Sequence, residues 1–226
     1  MNYKTEAIKG EDLILKYKVL QPEPGVVKPG LILLLHGVGS NEEDLFRFSQ
    51  SFPKGFVVVS ARAPYTLAPG KYAWFELSYA AGKPVINPEQ AEKSRLVINI
   101  FINQLIDRYM IDSKKVFLGG FSQGGIMSYS VGLTFPQKFA GIFILSSRLL
   151  PEVKPLIKSK EELQNLEIFI AHGKNDPVLP IQYATDALAY LKPMTSNITY
   201  HEYDMAHTVG EQELVDLVDW LSTKTD

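Results

Sequence analysis

The sequence predicts an α/β domain: a mostly parallel, twisted sheet with helices on both faces. Short continuous apolar runs, at 31–35 and 56–59 among others, suit strands that are covered on both sides. Segments of helical period separate these runs, and the strand-then-helix order repeats along most of the chain. No repeat, low-complexity tract or linker interrupts it, so residues 1–226 are expected to form one domain. With 226 residues, 46% of them hydrophobic, the chain can bury a core of that size.

The elements follow in order. Residues 13–19 alternate apolar and polar, as an edge strand does, and 21–30 is a Pro- and Gly-rich loop. Residues 42–51 can form a short helix capped by Ser40 or Asn41. Residues 61–85 read as a long loop with three prolines and five aromatics. A long helix then starts at Asn87, with Pro88 in its first turn and Gln90 completing a capping-box pattern. Its inward face is Ile98, Phe101, Ile102, Leu105 and Tyr109. Strand 115–119 runs into a helix over 123–135. Strands are expected at 140–145, 167–171 and 197–203, and helices at 181–191 and 211–221. The last helix should turn Leu214, Val215, Leu217, Val218 and Leu221 inward.

Composition narrows the chemistry. The formal net charge of −2 gives no support for nucleic acid as a partner, since that would favour a basic excess. With no cysteine, disulfides and thiolate metal sites are excluded, and nucleophiles are limited to hydroxyl, carboxylate or amine. Residues 1–11 are mixed and charged, so no secretory signal is read there. The longest apolar run, 31–35, is too short to span a bilayer. A cytoplasmic location is therefore expected, with no integral membrane segment.

The sharpest motif is Gly120-Phe121-Ser122-Gln123-Gly124. It sits between a strand and a helix, where a tight turn can project a serine hydroxyl from the sheet edge. Glycines two before and two after avoid clashes in that turn. The helix behind it points free N–H groups at developing negative charge. A serine hydroxyl needs a base. Of His36, His172, His201 and His207, the last is the candidate, on a loop past strand 197–203 that can reach Ser122. His201 falls inside that strand and reads as structural. Asp176 is the preferred carboxylate to orient the base, on the loop after a buried strand, with Asp204 its rival. Two backbone N–H groups should hold the oxyanion: that of Gln123, and that of Val38 on the glycine-flanked loop after 31–35. His36 reads as a turn residue, and His172 as a brace for the acid loop.

Leu35-His36-Gly37-Val38-Gly39, Trp74-Phe75, residues 118–125, residues 172–180 and His207 together resemble the phospholipase/carboxylesterase family of the α/β-hydrolase superfamily. The resemblance runs from about residue 31 to residue 221. It implies a Ser122–Asp176–His207 triad, oxyanion donors at Val38 and Gln123, and neither metal nor organic cofactor. It also implies that Trp74 and Phe75 lie beside the acyl site, and Val178 on the acid loop is taken as a further substrate contact. Ser40, Glu76 and Thr208 depart from the eukaryotic thioesterases of that family and favour a bacterial-type esterase.

Residues 147–165 leave no room for a large cap, so an open groove is expected, walled on one side by 61–85. The expected substrate is a small-molecule ester or thioester, and exposed aromatics beside the groove allow a homodimer. A peptidase or lactone hydrolase using the same triad, and a non-catalytic binding module of the same fold, are the alternative readings.

Overall fold

The computed structural model describes residues 13–80 and 83–224. The 1–11 stretch, read above as lacking a secretory signal, lies outside the described residues. In chain order the strands are β1 (Tyr17–Leu20), β2 (Gly30–Leu35), β3 (Phe56–Ala61), β4 (Tyr65–Ala68), β5 (Lys71–Ala73), β6 (Leu77–Ala80) and β7 (Lys83–Ile86), then β8 (Val116–Phe121), β9 (Gly141–Leu145), β10 (Glu167–Gly173) and β11 (Ile198–Tyr203). Seven of them form one sheet in the order β1-β3-β2-β8-β9-β10-β11. Every pairing in it is parallel except β1 with β3. The helices are α1 (Glu43–Phe46), α2 (Pro88–Tyr109), α3 (Gln123–Gly132), α4 (Lys160–Leu163), α5 (Gln182–Leu191) and α6 (Glu211–Ser222).

The apolar runs are strands buried on both faces. Leu31, Leu33 and Leu35 join a core with Phe101 and Leu105 of α2 and Ala187 and Leu191 of α5. Ile32 and Leu34 join a second core on the opposite face, with Leu217, Trp220 and Leu221 of α6. Alternation of side chains along a strand is what divides one run between two cores. Each fully buried leucine or phenylalanine contributes about 1.5–3 kcal/mol to folding.

Helix α2 starts as its sequence predicts, with the Asn87 side chain accepting the Gln90 N–H at 3.1 Å. Gln90 does not close the box. Its side-chain oxygen takes the Glu76 N–H at 2.7 Å instead, because the chain folds back there.

Four expectations are corrected. Residues 61–85 hold two antiparallel hairpins, β4–β5 and β6–β7, not a loop. Their strands are only three or four residues long, and Pro69 and Gly70 make the first turn, so the turn signals mask the pairing. The expected 42–51 helix splits into α1 and a 3₁₀ turn at Ser49–Ser51. Helix α3 ends at Gly132, short of 135, and the chain leaves through a 3₁₀ turn that opens at Pro136. On α6 the buried face is Glu213, Leu217, Trp220 and Leu221, while Val215 is exposed.

The 147–165 segment holds only the 3₁₀ helix Pro151–Leu156 and the four-residue α4. Among the described residues, no helix is long and apolar enough to cross a membrane.

Candidate active site

Ser122 stands where β8 passes into α3, with φ +54° and ψ −117°. Its N–H donates to the Leu145 carbonyl at 2.9 Å, and its own carbonyl accepts the Ser147 hydroxyl at 2.7 Å. The two motif glycines are required by contact. A Cβ on Gly124 would lie 1.8 Å from the Leu35 carbonyl oxygen, and one on Gly120 would lie 2.4 Å from it. The end of β2 therefore lies directly against the turn, and the 36–39 loop comes to rest beside Ser122. The Gly37 α-carbon lies next to it, such that a Cβ there would stand 3.4 Å from the Ser122 Cβ.

His207 follows β11 and reaches across the sheet edge. Its Nε2 lies 2.9 Å from Ser122 Oγ, and its Nδ1 lies 2.7 Å from Asp176 Oδ2. A proton on Nδ1 satisfies both contacts: the ring donates to the carboxylate and accepts from the hydroxyl. The Phe121 ring packs against the imidazole at 4.7 Å between centroids. The Asp176 side chain is buried, and its other oxygen accepts the N–H groups of Val178 and Leu179, each at 2.8 Å. The structure pairs His207 with Asp176 and not with the rival Asp204, which accepts from the Asn175 amide at 2.6 Å. His172 braces the acid loop, donating from Nε2 to the Leu179 carbonyl at 2.7 Å and lying 3.5 Å from Asp176 Oδ2.

The other two histidines stand apart. His36 is fully buried, with Nδ1 donating to the Gly37 carbonyl at 2.7 Å and Nε2 accepting the Ala63 N–H at 3.1 Å. Burial holds its pKa below the ordinary histidine value. His201 stacks between Phe169 and Tyr203.

Gln123 opens α3, so no preceding turn can accept its N–H. Val38 is 40% exposed between its two glycines. A two-way bridge holds that loop: Gly39 N–H to the Tyr72 carbonyl and Tyr72 N–H to the Ser40 carbonyl, both 2.8 Å. Val178 is exposed on the acid loop. Trp74 and Phe75, expected in the loop beside the acyl site, are 0% and 1% exposed, so their rings do not line an open surface. The connection between the hairpins is hydrogen-bonded inward, to His36 and Gln123, and its aromatic rings pack into the core.

Sequence reasoning passed over Ser147, whose hydroxyl anchors the turn, and Glu213. The Glu213 side chain is buried and accepts the Gly210 N–H at 3.1 Å, which closes the loop carrying His207. Burial pushes its pKa up to about 8. Its position three residues after a helix-starting glycine was the available signal. Among the described residues, no group of three or more His, Cys, Asp or Glu could hold a metal ion. A hydroxyl facing an imidazole that faces a buried carboxylate can give up its proton as it attacks an electrophilic carbon.

The phospholipase/carboxylesterase family model matches residues 22–225. The chain belongs to the phospholipase/carboxylesterase family. Members of this family hydrolyse ester and thioester bonds, and the chain is an enzyme of that class. Acyl-protein thioesterase 1 of Kluyveromyces lactis is 30% identical over 208 residues, which cover 85% of this chain and 90% of that protein. Acyl-protein thioesterase 1 of Mycosarcoma maydis is 29% identical over 231 residues, covering 92% and 96%. Among solved structures, the Bacillus cereus carboxylesterase superposes with a TM-score of 0.80 at 20% identity, over 94% of this chain and 96% of that one. Esterase PE8 superposes with a TM-score of 0.81 at 24% identity, over 92% and 98%. At these identities the two structures speak for the fold, which is that of the α/β-hydrolases with a mostly parallel sheet.

Proposed function

We propose that the chain cleaves carboxylic esters, and thioesters of the same acyl groups, through a Ser122–His207–Asp176 triad and an acyl-enzyme. The observation that carries this reading is the continuous hydrogen-bonded line from Ser122 Oγ through His207 to Asp176. Ser122 attacks the substrate carbonyl while His207 Nε2 takes its proton. The N–H groups of Val38 and Gln123 hold the resulting oxyanion. His207 then gives that proton to the departing alcohol or thiol. Water, deprotonated by His207, attacks the acyl-enzyme; the acid is released and Ser122 recovers its proton. Asp176 stays ionised and holds the imidazole in its working tautomer. Val178, exposed two residues after Asp176, is the proposed apolar contact for substrate.

The substrate is read as a small-molecule ester in an open groove, in the manner of a carboxylesterase or lysophospholipase. We also read residues 1–226 as one domain, which the single sheet running from Tyr17 to Tyr203 supports.

The test is a panel of p-nitrophenyl esters, acyl thioesters and peptide anilides, with a fluorophosphonate probe. Wild type should turn over esters, leave anilides intact and label on Ser122. Ser122→Ala should lose labelling and about three orders of magnitude of turnover or more, with its melting temperature retained. Turnover persisting in that variant would remove Ser122 from the mechanism.

A further inference from the structure

An oxyanion held by two N–H groups needs both at about 2.7–3.1 Å from one oxygen. In the mechanism proposed above these groups belong to different segments. Val38 lies past the end of β2, and Gln123 opens α3 past the end of β8. Covalent structure does not fix their separation.

Trp74 lies between the two segments and bonds to both. Its indole N–H donates to the His36 carbonyl at 3.0 Å. Its backbone N–H donates to Gln123 Oε1 at 2.8 Å, and the Gln123 amide returns a bond to the Phe75 carbonyl at 2.7 Å. The Trp74 carbonyl accepts the Ser94 hydroxyl from α2. On the other side, the His36 ring donates to the carbonyl of Gly37, the residue before Val38. Trp74, His36 and Ser94 are 0% exposed and Gln123 is 3% exposed. Buried bonds of this kind are stiff, because breaking one leaves a polar group without water.

We infer that Trp74 is a positioning residue, a strut that sets the distance between the Val38 and Gln123 N–H groups. The inference rests on the ester-cleaving reading of those two groups. A tryptophan that only filled volume would need no bonds to both segments.

Two variants test it. Trp74→Phe keeps an aromatic ring and removes the bond to His36. Gln123→Met removes both side-chain bonds and keeps the backbone N–H. Each is assayed on a p-nitrophenyl ester well below its own melting temperature. A trifluoromethyl ketone is titrated in parallel: Ser122 Oγ adds to its carbonyl carbon, the proton passes to His207, and the hemiketal oxyanion needs both donors.

We expect kcat to fall about 10- to 100-fold in each variant with KM within about twofold, since a misplacement near 1 Å has effects of that size. Affinity for the ketone should fall in the same proportion. Variants that melt lower but keep kcat and ketone affinity within about twofold of wild type would overturn the proposal and leave Trp74 as core packing. If either variant does not fold, Ser94→Ala loosens the strut at one bond. There a fall of about threefold in kcat, matched by the ketone, supports the proposal, and unchanged values overturn it. Failure of the parent reading looks different: the ketone would bind Ser122→Ala as tightly as wild type.

Discussion

Ser122 sits at φ +54°, in the left-handed half of backbone space that a residue with a Cβ seldom occupies. Such a conformation stores about 1–3 kcal/mol and persists only when its surroundings hold it. Here they do so through the Leu145 and Ser147 bonds and through β2 pressed on Gly120 and Gly124. Asp176 is held as firmly, by two N–H groups on one oxygen and His207 on the other. An asparagine there would present an amide to the imidazole and favour the wrong tautomer. Asp176→Asn should therefore lower kcat by about three to four orders of magnitude with little change in melting temperature. Activity within tenfold of wild type would shift the role to Asp204, which Asp204→Asn would then reveal. These residues were legible in the sequence because the glycine spacing and the order Ser, Asp, His are dictated by local sterics and chain path. The burial of Trp74 was not legible, because an aromatic pair in a proline-rich stretch does not declare which way it faces. Ser147 went unnoticed because a hydroxyl after a buried strand has no periodic signature.

Among the elements, α2 and α6 show what patterning can and cannot convey. The start of α2 was readable from Asn87 and Pro88, since caps are local chemistry. The rotation of α6 was not, because apolar counting favoured Val215 over Trp220 and had no place for a buried acid. That acid, Glu213, has a consequence that pH can reach. Its pKa is raised from 4.5 to about 8 by burial, so the folded chain keeps a proton that the unfolded chain releases above about 4.5. The stability tied to that proton is complete below 4.5 and is lost as pH rises toward 8 and through it. Glu213→Gln keeps an acceptor for the Gly210 N–H and cannot ionise. In urea titrations its advantage over wild type should grow from pH 5 to pH 8, by at most about 1.4 kcal/mol per pH unit, then level off. A gap independent of pH would mean that the carboxyl is already ionised in the folded chain. The hairpins escaped detection because strands of three or four residues are shorter than any window in which alternation is distinctive.

At the scale of the whole molecule, the chemistry gathers on one edge of one sheet. Loops after β2, β8, β10 and β11 meet there, which follows from parallel strands sharing a direction. This part of the fold was legible from β-then-α order alone. The 147–165 segment, with one 3₁₀ helix and the short α4, offers nothing large enough to close over Ser122. Initial rates on a p-nitrophenyl ester should therefore follow a single hyperbola, with no jump where the substrate begins to form micelles. A sharp rise at that concentration would reveal a lid. The two hairpins add no strand to the main sheet, although Tyr72 of β5 bridges to Ser40. They are fastened at several points: at Trp74 to His36 and Gln123, at Tyr72 to the 39–40 loop, and at the Gly70 turn to Asn41. Leu67 and Val85 stand exposed on these hairpins, so substitutions there change the surface of the molecule while the buried bonds around Trp74 stay as they are.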